Sequence, residues 1–131
     1  MKLENDWRYQ SLFNLKAMPV VHPDDVQTPL IKRIYELVNR PLSEYTIENL
    51  RLMIGQEIGL SFLIPLAMEK LNHDLFAEGD MYEGDLLSSV VNINPDFWRH
   101  NPELKAQLND LVENRREEID LREISLEKFY S

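Results

Sequence analysis

Four carboxylates fall within eight residues of the stretch FAEGDMYEGDLL (76–87): Glu78, Asp80, Glu83 and Asp85. Acids at that density can hold a divalent cation, share a proton in acid–base catalysis, favour the start of a helix, or meet a basic partner. An EF-hand calcium loop needs oxygen ligands at alternate positions, then a glycine and a distal glutamate. Counted from Asp80, the third position is Tyr82 and the fifth is Gly84, so that spacing fails. Paired carboxylates do acid–base work when their surroundings separate their pKa values, but acids in a glycine-containing loop are ordinarily solvated. His22, His73 and His100 are scattered, with no HExxH and no Glu-x-x-His, the spacings that zinc and di-metal sites use. No Gly-x-Ser-x-Gly or phosphate-binding GxxxxGK[ST] occurs either. The expectation is a non-enzyme with no catalytic, cofactor-binding or metal site. A carboxylate enzyme using a divalent metal is the third reading, which a stability shift on adding Mg²⁺, Ca²⁺ or Mn²⁺ would support.

The setting of those acids is unusual. The chain has 131 residues, no cysteine and a formal net charge of −9. Residues 74–98 hold six acids and no base, a net of −6, and no Lys or Arg occurs between Lys70 and Arg99. Most of the excess charge is therefore local. Such a balance argues against direct nucleic-acid binding, which needs clustered Lys and Arg. It suits a basic protein partner or solubility. The absence of cysteine removes disulfides and thiolate metal sites and fits a cytoplasmic protein. MKLENDWRYQ carries acids where a secretory signal would be apolar, and no apolar run is long enough to span a membrane.

The elements that must position these acids read as helices. Ser11 can cap a short helix through Lys16, before Pro19 and Pro23 force an extended connection. Thr28 followed by Pro29 is a helix start, and Leu30, Ile31, Ile34, Leu37 and Val38 then form one face. Pro41 requires that helix to end before it. Thr46 caps a second helix with Ile47, Leu50 and Ile54 inward, and Gly55 supplies its stop. QEIGLSFLIPLAMEKLNHD (56–74) predicts a long buried helix, kinked at Pro65. Asp85 or Asp80 can cap the helix carrying Leu86, Leu87, Val90 and Val91. Asn94-Pro95-Asp96 and Asn101-Pro102-Glu103 repeat one helix-opening phrase. The second opens a long helix with Leu104, Leu108, Leu111, Val112 and Ile119 inward. The fold class is all-α: residues 1–131 as a single-domain bundle of about five or six helices. A charged tail from about residue 119 is either a solvated helix extension or loosely held.

Capping accounts for one or two of the clustered acids, not for Glu78 or for the missing bases. Phe76, Met81 and Tyr82 among them resemble the aromatic anchors and charged rim of an interface. A protein-binding surface and a solvated loop both stand on these grounds.

The phrases PLSEYTIENLRLMIGQEIGLSFLIPLAMEKL, LFAEGDMYEGDLLSSVV and PDFW resemble the immunity proteins of bacterial contact-dependent growth inhibition systems. The resemblance covers roughly residues 3–112 and is densest from Pro41 to Trp98. Its most specific parts are LRLMIGQ-x-IGL-x-FLIPLA and AEGD-x-Y-x-GDLL, where the family often has proline at the position of Glu83. It implies a cytoplasmic protein that binds and neutralises the C-terminal toxin domain of its cognate effector. Such toxins are often nucleases with basic surfaces. On that reading Glu78, Asp80, Tyr82, Glu83 and Asp85 are the expected toxin contacts, the acids pairing with Lys or Arg and Tyr82 as anchor. The alternative is a helical adaptor or regulatory subunit using the same surface on a basic host protein.

Overall fold

The computed structural model describes residues 7–17 and 28–131, and within them every regular element is helical. Seven α-helices are present: α1 (Pro29–Val38), α2 (Ile47–Gly55), α3 (Leu60–His73), α4 (Asp85–Val91), α5 (Asp96–His100), α6 (Pro102–Glu113) and α7 (Arg116–Leu121). Short 3₁₀ turns at Trp7–Tyr9 and Leu42–Glu44 pack on each other. The expected extended connection around Pro19 and Pro23 lies outside the described residues.

Local chemistry starts these helices where the sequence placed them. Thr28 Oγ1 accepts from the Ile31 N–H at 3.1 Å, ahead of Pro29. Thr46 and Asn49 form a reciprocal capping box, each side chain accepting the other's backbone N–H at 3.1 Å. Ser11 Oγ also accepts from Asn14 N–H, but the short helix expected through Lys16 is a hydrogen-bonded turn and not a helix.

Helix ends depart from expectation. Gly55 does not stop α2; it is the last helical residue. Closure comes from Glu57 in the left-handed region (φ 57°), where Glu57 N–H bonds Ile54 O at 2.8 Å and Ile58 N–H bonds Met53 O at 3.0 Å. That is a Schellman closure, with buried Ile58 and Met53 supplying its apolar contact. Residues 56–58 therefore belong to a turn, and the long helix expected from residue 56 begins at Leu60. Pro65 lies inside α3, where it has no N–H to offer the Ser61 carbonyl. The two Asn-Pro phrases also diverge. Asn94 Oδ1 accepts from Asp96 N–H, whereas Asn101 turns back to donate to Phe97 O at the end of α5.

α2 packs against both α3 and α4, and α3 reaches α6. The core between them holds Leu50, Met53, Ile54, Leu63, Ile64, Leu71, Leu86, Leu87, Val90 and Val91, all fully buried. The charged tail is partly packed: four of its apolar side chains are buried, while Leu121, Glu123 and Tyr130 are exposed. Ile119, Ile124, Leu126 and Phe129 are buried. Phe129 meets Trp98 edge-to-face at 5.3 Å between ring centres. A break at residues 114–115 separates Ile119 from the helix of Leu104–Val112.

Candidate functional site

The acidic loop joins the end of α3 to the start of α4, and two carboxylates shape it from inside. Asp85 is 2% exposed. Its Oδ1 accepts from Gly79 N–H at 2.7 Å, and its Oδ2 from Met81 and Tyr82 N–H at 3.0 and 3.3 Å. A buried carboxylate is tolerated when N–H donors replace its water shell, and here three backbone donors do so. Arg51 adds a positive charge, its Nε 3.8 Å from Asp85 Oδ2.

The second carboxylate comes from α2. Glu48 Oε1 accepts from Asp80 N–H at 2.8 Å, while Arg51 grips Glu48 bidentately at 2.6 and 2.5 Å. The Arg51 hydrogen bonds hold the Glu48 carboxyl below the usual glutamate range, against the opposing effect of partial burial and with help from Asp80 N–H. Gly79 makes room for this approach: a Cβ there would stand 2.6 Å from Glu48 Oε1 and 3.2 Å from Asp85 Oδ2.

Gly84 closes the loop at φ 87°, in the left-handed region that glycine occupies without strain. A Cβ at that position would meet Ile124 Cδ1 at 2.9 Å, so the tail packs directly on it. Arg122 Nε bonds Glu83 Oε1 at 2.6 Å and its guanidinium lies 3.9 Å over the Phe76 ring. Arg115 approaches the same ring at 4.9 Å. The stretch that lacks bases in sequence is thus met in space by three arginines, Arg51, Arg115 and Arg122, brought by other elements.

These positions sort the five expected contacts. Glu78, Asp80, Tyr82 and Glu83 are exposed. Glu83 is paired with Arg122, while Glu78 and Asp80 have no ion pair among the described residues. Asp85 stands apart from the other four: it is buried, and its oxygens accept three N–H groups of its own loop. It does not cap α4, whose N-cap is Gly84. Phe76 is likewise buried beneath the two arginines rather than offered as an anchor. Met81 (65% exposed) and Tyr82 (48%) are the outward apolar groups of the loop. Glu48 and Arg51 were missed as site-forming residues. Their i, i+3 spacing in α2 signals an ion pair, but nothing local signals that it would support a loop more than thirty residues away.

Elsewhere, an open groove of about 420 Å³ runs between α3 and α6, lined by Pro65, Met68, Leu104 and Leu111 with Glu69 and Asp110 at its edges. Glu69 is engaged by Arg8. Among the described residues no three His, Asp or Glu side chains are grouped to hold a metal ion, and no helix is long and apolar enough to cross a membrane. What the loop offers chemically is a pre-shaped acidic and aromatic face.

Comparison with known protein families gives a match. The model of a family described as CDI immunity proteins fits residues 14–108, well over half of the chain and inclusive of the whole acidic loop. No curated protein matches it.

Proposed function

The chain belongs to the family of CDI immunity proteins, and on that premise we propose that it binds and neutralises its cognate toxin domain, a nuclease, in the cytoplasm through the acidic loop. It acts by binding, without a catalytic step of its own. Glu78 and Asp80 take Lys or Arg of the toxin, Tyr82 and Met81 supply apolar contact, and Glu83 exchanges between Arg122 and the partner. Asp85 serves from beneath, fixing the backbone from which these side chains project. The observation that carries this reading is the network of Asp85, Glu48 and Arg51. It holds the loop's shape before any partner arrives, so less ordering is lost on binding.

The test is calorimetric titration of the toxin domain encoded beside this gene, at two salt concentrations. Nanomolar binding that weakens with salt, and a weaker salt dependence for Glu78→Ala with Asp80→Ala, is the expected result. Tight binding that ignores both salt and the double substitution would place the interface elsewhere. No binding would remove the role for that toxin and favour an adaptor for a basic host protein.

A further inference from the structure

Leu121, the last residue of α7, is 81% exposed, more than any other large apolar side chain among the described residues. It contributes little packing to the fold. A lone exposed leucine would need no explanation, but this one is tied to the acidic loop. The residue after it, Arg122, bonds Glu83 at 2.6 Å, and Glu83 follows the exposed Met81 and Tyr82. One ion pair thus joins the two segments that carry these exposed apolar side chains, some forty positions apart in the chain.

The end of α7 closes in a defined turn. Glu123 takes the left-handed conformation (φ 57°), with Glu123 N–H on Asp120 O at 2.9 Å and Ile124 N–H on Ile119 O at 3.2 Å. Buried Ile119 and Ile124 close this Schellman turn. Leu121 is therefore held outward on a fixed backbone between exposed Asp120 and Glu123. Like Glu78 and Asp80, those acids have no ion pair among the described residues.

We propose that the toxin-binding surface is composite: the end of α7 forms its second half, with Leu121 as an apolar anchor flanked by Asp120 and Glu123. The partner it fits is a toxin domain presenting an apolar spot ringed by Lys and Arg. A second copy of this chain fits poorly, because pairing the face with itself would set Glu78, Asp80, Asp120 and Glu123 against their own equivalents. The α7 half lies beyond residue 108, where the family match ends, so it adds to the loop a contact outside the span that carries family membership. The inference rests on the toxin-binding reading above.

The test uses the full chain and the toxin domain encoded beside it, with Leu121→Ser and, separately, Glu78→Ala with Asp80→Ala. Because Leu121 is so exposed, Leu121→Ser should unfold at the wild-type denaturant midpoint. Its toxin affinity should fall about tenfold, through faster dissociation and with the salt dependence retained. The acid variants should instead lower the salt dependence. A loss below threefold for Leu121→Ser, with the wild type binding tightly, overturns the composite surface and leaves the loop reading intact. Absence of wild-type binding overturns both.

Discussion

The 78–85 loop and the 116–131 tail are both acidic and lie against each other, yet they are fastened by opposite means. Polar bonds hold the loop: one buried carboxylate collects three N–H groups, and a second is steadied by Arg51. Apolar contact holds the tail: Ile119, Ile124 and Leu126 are buried, and Phe129 packs on Trp98. A loop of glycines and acids has few side chains to bury, so directional bonds must define it. A tail with an apolar residue every few positions can be anchored by area alone. Acidity as a composition therefore says nothing of an acid's role. Asp85 builds, Glu83 bridges, and Glu78 remains on the surface.

The comparison breaks most readily at the tail. Phe129→Ala removes a fully buried ring and should cost about 3–5 kcal/mol in urea unfolding, with little dependence on pH. At the loop, Asp85→Ala leaves three N–H groups without their acceptor and should cost about 2–4 kcal/mol. Asp85→Asn, which keeps an acceptor, should cost less. Equal losses for the two loop variants would count against the N–H cage as the reason for burial.

Acid should separate the regions further. The Glu48 pKa is lowered from its ordinary value of 4.5, so its stabilising contribution is complete above that value. It is lost as pH falls through the lower folded-state value. The stability gap between wild type and Glu48→Gln should therefore narrow below about pH 4.5, while the loss from Phe129→Ala stays level. Unfolding curves across that range check both. At the junction, Arg122→Ala removes the partly exposed pair with Glu83 and the stacking on Phe76, and should cost about 1–2 kcal/mol. Glu83→Gln should cost less than about 1 kcal/mol and soften with salt. The smallest effect is a gain: Glu123→Gly relieves a left-handed glutamate and should stabilise by about 0.5 kcal/mol, seen as a higher unfolding midpoint.

Several features were legible without the fold. Thr28 before Pro29 and Thr46 before Ile47 are caps that act over a single turn, so neighbours in sequence suffice to form them. The apolar spacing along α1 and α4 placed Ile34, Leu37, Val38, Leu86, Leu87, Val90 and Val91 in the core for the same reason, helical periodicity being local, although Leu30 on the α1 face is exposed. Closures at Glu57 and Glu123 were not legible, because a charged residue accepts the left-handed conformation only when the apolar contact behind it is buried. That contact depends on packing.

The sequence by itself determined an all-helical chain, the concentration of negative charge at residues 74–98, and the phrases by which the family is known. Tertiary structure alone decided which of those acids face outward. Arg51, Arg115 and Arg122 are remote from the loop along the chain, and only folding sets them against it. The same folding takes Asp85 out of water, since a carboxylate can be buried only where other elements and its own loop's N–H groups converge on it.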